Sequence, residues 1–386
     1  MVQSSDPDDR IQNASPYHFE LTRDDIEAVS SGVRAVLESG VLSLGRWTTE
    51  FETAFAAECG APYAVAVSSG TKALELLMFV KGLAGKTVLV PTNTNFATVA
   101  AALRIGAHVR YLDMSPMAFA PSLGQLTQAL SVDPRPAAVA WVHIGGVVSP
   151  EFDRVVELCR RERVCLLEDA SHAHGSRVQG LSAGALADGG AFSLYATKVL
   201  TAGEGGVVLV RDPDEAALLR SLRNQGKGSA AFGSWHVDFG DTARLSEMAA
   251  VLAVTQLRGL RQRCRKREAA RRAMAAVFDR AGVEYVGTGH MDMPSNYKFI
   301  VLLPNGVTIA SVRERLRQEK IFLGGGVYET PCHLQPAFDG RVPAAPLPVA
   351  ERWCNQHICP PLTSRMSEGD AAYVAERVVS ILSAIA

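Results

Sequence analysis

The stretch VCLLEDASHAHG (residues 164–175) is followed by GAFSLYATKVLTAGEGGVVLV (residues 190–210), and these two segments decide the fold. In each, a short apolar run ends in groups that carry chemistry: Glu168 and Asp169 after Val164–Leu167, and Tyr195 through Lys198 after Ala191–Leu194. Runs with no polar face belong to strands covered on both sides. Working outward, runs of the same kind recur at Ala64–Val67, Val88–Val90, Val109–Leu112, Ala138–Val142 and Val207–Val210. Most are separated by stretches long enough for a crossover helix, at 72–83, 96–105, 123–129 and 152–161, whereas the last are joined by shorter glycine-rich loops. The pattern predicts an α/β fold with a seven-stranded, mostly parallel sheet that ends near residue 211.

Around this core, residues 1–16 lack periodicity and read as a loose arm. Apolar residues at helical spacing predict a helix over 22–39, capped by the TRDD sequence, and a second over TTEFETAFAAEC, where Thr48 or Thr49 with Glu52 resembles a capping box. After the sheet come a helical stretch at 214–224, a Gly/Ser/aromatic loop (GKGSAAFGSWHVDFGD, 226–241), and one long helical pattern over 245–281. A strand at 296–304, a helix at 308–318 and a last helix at 368–385 complete the chain. The expected division is a large domain over 17–255 and a smaller α+β domain over 256–386.

The 386 residues carry 39 basic and 40 acidic side chains, a net charge of -1, so no global field draws the chain to nucleic acid or an anionic membrane. With 47% hydrophobic and 20% charged residues, disordered, collagen-like and coiled-coil classes are excluded. The polar start MVQSSDPDDR is not a secretory signal and no apolar run is long enough to span a bilayer, which predicts a soluble, cytoplasmic protein. Seven cysteines without a CxxC pair argue against a disulfide framework and a zinc site. Seven Arg and one Lys over 258–272 read as a solvated helix face with salt bridges.

In an open parallel sheet the ligand lies beyond the carboxyl ends of the strands. There Ser68-Ser69-Gly70-Thr71 opens a helix, and its unpaired N–H groups, with the hydroxyls of Ser69 and Thr71, suit one phosphate. Glu168 and Asp169 need partners if buried, and His172 and His174 are within reach of the sequence; without a second ligand cluster, Asp-x-x-His-x-His does not make a metal site. Lys198 is a lysine at the inner end of a strand. Gly203–Gly206 precede a strand instead of opening a helix, so they are not a dinucleotide fingerprint; they let the chain pass close to something flat or bulky. A phosphate site, a strand-end acid and a strand-end lysine in this order are what pyridoxal 5'-phosphate requires: the amine forms a Schiff base, the acid keeps the ring nitrogen protonated, and the helix start binds the phosphate.

These stretches, with GVLSLGRWTTEFETAFA (40–56), AVAVSSGTKALEL (64–76), VPTNTNFATVAAAL (90–103), LRNQG (222–226), SEMAAVLAVTQL (246–257) and PCHLQPAF (331–338), resemble the DegT/StrS sugar aminotransferases of the aspartate-aminotransferase fold (fold type I). The resemblance spans roughly residues 20–385. It implies that Lys198 is the Schiff-base lysine and the general base, that Asp169 partners the pyridine nitrogen, and that His172 stands where the family usually has Gln. It implies further that Phe96 stacks on the ring and that Ser69, Gly70, Thr71 and Ser193 contact the phosphate. A loop as long as 226–244 without its own structure is usually functional, so it is expected to cross a dimer interface and place Asn224, with Thr242 or Arg244, near the other chain's phosphate or substrate; His333 and Arg244 are expected at the substrate. The family's Gly-x-Asn-x-Arg is here Gly240-Asp241-Thr242-Ala243-Arg244, so Thr242 stands in place of the cross-subunit Asn. Because Lys198 is retained, sugar dehydration is disfavoured.

The function so implied is amino transfer from an amino acid, usually glutamate, to a nucleotide-linked keto sugar in deoxyamino-sugar, antibiotic or other secondary-metabolite biosynthesis. A homodimer with shared sites follows from the resemblance and from the exposed aromatics Phe232 and Trp235. A cyclitol or other ketone aminotransferase, and a regulator that binds the cofactor without turnover, remain as alternatives.

Overall fold

In the computed structural model, which describes residues 20–228, 235–343 and 345–385, every one of the seven apolar runs is a strand of one sheet. They are β1 (Tyr63–Val67), β2 (Thr87–Pro91), β3 (His108–Leu112), β4 (Ala138–Val142), β5 (Cys165–Asp169), β6 (Gly189–Ser193) and β7 (Gly206–Val210). The order across the sheet is β1-β7-β6-β5-β4-β2-β3. All pairs are parallel except those of β7, which runs antiparallel to both β1 and β6. The first six strands therefore end on one edge of the sheet, and β7 begins there: Val67 and Ser193 both pair with Gly206, Val142 with Asp169 and Asp169 with Ala191.

Both faces are buried, and alternate residues serve opposite cores. On β1, Ala64 and Ala66 belong to one apolar cluster, Val65 and Val67 to the other; on β4 the split is Val139 and Trp141 against Ala138 and Ala140. The first cluster is closed by Phe51 and Phe55 of helix α2 (Arg46–Cys59), and the second by Leu74 and Leu77 of α3 (Gly70–Val80) and Val99 of α4 (Phe96–Arg104). A third cluster, made wholly of residues from 270 onward, packs the end of the long helix Leu260–Ala281 on the last helix, Glu368–Ile385.

Helix α1 (Arg23–Ser39) has the expected cap, Thr22 and Asp25 forming a capping box. Elsewhere the sequence misleads. Helix α2 starts at Arg46, so Thr48 and Thr49 already lie inside it and no capping box forms. Its first turn is capped from a distance: the Glu247 carboxylate accepts from Gly45 N (2.9 Å), Trp47 N (2.8 Å) and Thr48 N (3.0 Å) and from the Thr48 hydroxyl. Glu52 instead accepts from Ala66 N at 2.8 Å and binds buried Arg223, which also donates to the Ala66 carbonyl. The long helical pattern is two helices, Glu247–Arg258 and Leu260–Ala281, broken at Gly259. The expected strand at 296–304 shrinks to Val301–Leu302, paired with His357–Ile358. The arm at 1–16 and Phe232 lie outside the described residues.

Glu247 is buried and satisfies donors that have no other acceptor at a helix start. Replacing Glu247 by Ala should cost about 2–3 kcal/mol, the range for a charge-assisted cap left unsatisfied, read as a lower urea midpoint; Glu247→Gln should lose less.

Candidate active site

The carboxyl edge of the sheet gathers side chains from four strand ends. After β1, Ser69 caps α3 by accepting from Lys72 N at 3.1 Å, and its carbonyl accepts from Ala73 N at 2.9 Å. That leaves the N–H groups of Gly70 and Thr71 at a helix start with no acceptor inside the helix. Ser193, the last residue of β6, closes against them so tightly that a Cβ on Gly70 would lie 2.5 Å from the Ser193 Cβ. A Cβ on Gly206 would lie 2.3 Å from the Ser69 carbonyl oxygen. What Gly206 passes closely is thus the Ser69 backbone, and the glycine cluster is the price of bringing β7 beside a helix start.

Glu168 and Asp169 point to opposite faces of β5, as successive strand residues must. Glu168 is spent on structure, bonding His143 Nε2 at 2.9 Å and accepting from Gly184 N, Leu186 N and Ala187 N at 2.7, 2.7 and 2.8 Å. Neither His172 nor His174 pairs with the acids, contrary to the sequence reading. Asp169 accepts from the Thr98 hydroxyl at 2.8 Å and from Ser171 N at 3.1 Å, and Thr98 is held in turn by Thr94 at 2.7 Å. Two bonds leave lone-pair capacity on a buried carboxylate that has no ion pair among the described residues.

Asp169 lines an inner cavity of about 230 Å³ together with Ser69, Gly70, Thr71, Ser193 and Lys198. An adjoining outer cavity of about 490 Å³ shares Lys198, His172, Asn95 and Tyr328 with it. Burial pushes the Lys198 ammonium down to about 8, the nearby charge of Asp169 opposes this, and that of Lys298 adds to it. His172 is buried beside the same lysine and lies well below its ordinary value, first because it is desolvated and then because of the Lys198 charge. Its Nδ1 accepts from Gly145 N at 3.3 Å, which leaves the proton of the neutral ring on Nε2, 3.2 Å from the Tyr328 hydroxyl. The ring stacks on Tyr297 at 4.3 Å. Cys332 and Cys359 are buried, and burial raises their thiols to about 12 and about 11.

Four expected site residues line neither cavity. Phe96 does not face the cavity: α4 begins there with Asn95 as its cap, and the phase of that first turn sends Asn95 and Ala97 inward and Phe96 outward onto Phe338, 5.1 Å away. His333 is bound at both nitrogens, to Thr92 at 2.7 Å and Glu351 at 3.1 Å, and joins neither cavity. Asn224 and Arg244 are bonded to each other at 2.8 Å, outside both cavities, in a segment tied to the phosphate-type helix start by the 2.7 Å Lys72–Asp241 ion pair. Sequence reasoning missed Thr98, Asn95, Tyr297, Lys298 and Tyr328; Thr98 was legible as the hydroxyl one turn into a helix that follows a strand end, and the others carry no local signal.

The donor set fits pyridoxal 5'-phosphate: paired N–H groups for a phosphate, a buried carboxylate with a lone pair to spare for a protonated ring nitrogen, and a buried amine of lowered basicity for an aldehyde. A model of the DegT/DnrJ/EryC1/StrS aminotransferase family matches residues 23–379. The dTDP-3-amino-3,4,6-trideoxy-alpha-D-glucose transaminase of Streptomyces venezuelae is 31% identical over 355 residues, 90% of each chain. The GDP-perosamine synthase of Caulobacter vibrioides is 34% identical over 229 residues, 59% of this chain and 61% of that protein. Among solved structures, the aminotransferase TlmJ from Streptoalloteichus hindustanus superposes with a TM-score of 0.87 at 28% identity, covering 96% of this chain and 99% of that one.

A lysine whose folded value lies below its unfolded one destabilises the fold at every pH below about 8, and stability returns as pH rises from there to the unfolded value near 10.4. Lys198→Met should therefore stabilise the cofactor-free protein by about 1–3 kcal/mol at neutral pH, with the advantage vanishing towards pH ~10, as read from thermal melts across that range.

Proposed function

The chain belongs to the DegT/DnrJ/EryC1/StrS aminotransferase family, and on that premise we propose that it moves an amino group from an amino acid, glutamate foremost, onto a keto sugar carried by a nucleotide. The observation that carries this reading is the meeting of Lys198, Asp169 and the N-terminus of α3 in one cavity, with a second cavity opening on the same lysine. The relatives from Streptomyces venezuelae and Caulobacter vibrioides are named for sugars on dTDP and GDP, which supports a nucleotide-linked acceptor in deoxyamino-sugar biosynthesis.

Gly70, Thr71 and Ser193 would hold the phosphate of pyridoxal 5'-phosphate, Asp169 its ring nitrogen and Lys198 its aldehyde carbon. When bound, the cofactor supplies a carbonyl that takes up the amino group and a ring that accepts electrons. The remaining work falls to the chain. Thr98 and Ser171 fix the Asp169 carboxylate so that its charge needs no reorganisation during turnover. The Lys198 amine, with its value near 8, is a base matched to working pH: it takes the proton from the substrate carbon at Nζ and returns it during the same turnover. Neutral His172, held by Gly145 N and Tyr297, presents a donor without adding a positive charge beside Lys198.

The working unit we propose is a homodimer in the cytoplasm. Trp235 and Phe239 are 72% and 100% exposed on the loop after the helix Pro213–Leu222, an apolar display that suits a second subunit. Asn224, with Thr242 or Arg244, would then reach the cofactor phosphate of the other chain. No helix among the described residues is long and apolar enough to cross a membrane.

Presented with a panel of nucleotide-linked keto sugars and cyclitol ketones, with glutamate and glutamine as donors, the holoenzyme should aminate a nucleotide-linked sugar and leave cyclitols untouched; the reverse preference overturns the acceptor. Asp169→Asn should still load cofactor but turn over roughly 10²–10⁴-fold more slowly, measured as product formed per active site. Mixing inactive Lys198→Ala and Asn224→Ala chains should restore activity in hybrid dimers; no recovery despite proven exchange would place both residues on one chain.

A further inference from the structure

Lys298 is a second lysine at the outer cavity, and nothing in the chemistry above employs it. It is half-buried, follows Tyr297 directly and is anchored by its own N–H, which donates to the Gly145 carbonyl at 3.1 Å. The same Gly145 donates to His172 Nδ1, so one residue fixes both the imidazole and the backbone that carries Lys298. On the other side buried Arg267 clamps the segment by donating to the Asn296 carbonyl at 2.8 Å and to the Tyr297 carbonyl at 3.1 Å. Two lysines address one ring: Lys198 Nζ lies 4.8 Å and Lys298 Nζ 5.5 Å from the Tyr297 centroid.

Among the described residues lining the outer cavity, Lys198 and Lys298 are the charged side chains and none is acidic. Asp169 and Glu204 line the inner cavity instead, and Glu329, one residue beyond Tyr328, is held by Gly326 N at 3.3 Å and by Arg313. A cavity lined by two cations and no acid favours an anionic visitor.

We propose that Lys298 receives the α-carboxylate of the amino donor, an inference that rests on the amino-transfer reading. The placement selects a carboxylate over a diphosphate. In an amino acid the carboxylate is bonded to the same carbon whose proton Lys198 must take, so an anion site and the base beside one aromatic ring suit its compact arrangement. In a nucleotide-linked sugar the phosphates stand across the sugar ring from the ketone. Tyr297, held at its hydroxyl by Thr197 at 3.2 Å, supplies a flat wall beside both lysines. Lys298 thereby fixes which bond at the donor carbon faces the Lys198 amine, and it vacates the anion site when the keto acid leaves.

The test uses the holoenzyme and its Lys298→Met, Lys298→Gln and Lys298→Arg variants, each first checked for an unchanged cofactor spectrum and melting temperature. Calorimetry measures binding of α-methylglutamate, which has no α-proton to lose, and separately of dTDP. Lys298→Met and Lys298→Gln should weaken α-methylglutamate roughly 10- to 100-fold, the scale of one charge-assisted hydrogen bond. Lys298→Arg should recover most of that loss, dTDP binding should not change, and KM for glutamate should rise by a similar factor. Unchanged binding of α-methylglutamate, a loss confined to dTDP, or equal losses for both would each overturn the assignment. Because the calorimetry needs no turnover, a wild-type enzyme that binds the amino-acid analogue but aminates no nucleotide-linked sugar would refute the acceptor reading alone.

Discussion

Lys198 and Asp169 are both withdrawn from water at one edge of a sheet, and the geometry around them exists to make that tolerable. A buried amine loses basicity and a buried carboxylate demands donors. The sheet answers by register: β5 and β6 are neighbours, Asp169 pairs with Ala191, and the loop that bears Lys198 leaves the end of β6 just beyond. Helix α4 brings Thr98 to Asp169, while Gly70 and Gly206 remove the side chains that would keep α3 and β7 from closing around the same point.

The same economy governs charge farther out. Of the basic run at 258–272, Arg258, Arg261 and Lys266 meet Glu50, Glu58 and Glu20, so the charged face is balanced as a solvated helix would be. Arg263 and Arg267 turn inward and spend their guanidinium groups on backbone carbonyls, at Val199 and Gln256 and at Asn296 and Tyr297. These two arginines tie the loop after Lys198 and the segment after residue 295 to one helix, so the C-terminal part of the chain contributes to the cavity walls through buried cations that a charge count reads only as surface.

The sheet was legible because each strand is apolar on both faces and the crossovers are of ordinary length. Asp169, Lys198 and the start of α3 were legible because strand ends in such a sheet share an edge. The errors have a different origin. Whether Phe96 or Asn95 faces inward depends on the phase of one helical turn, which motif order does not encode. His333 sits in a motif that draws attention, yet its two nitrogens are consumed by residues far away in sequence. Gly259 breaks a helix whose apolar period runs straight through it. Tyr297, Lys298 and Tyr328 reach the cavity from irregular segments, where no periodicity announces a face.

The antiparallel β7 also sets the order in which this chain can be made. Strand β1, at residues 63–67, has its partner at residues 206–210, so a ribosome must deliver the whole sheet before the first strand acquires a neighbour. Until then β1 is an unpaired apolar edge, and such edges are templates for misassociation. The polypeptide emerging during that interval depends on helices α2 and α3, which flank β1 in sequence, to cover it locally. Synthesis rate and chaperone access between those two points thus bear on yield separately from the stability of the finished fold.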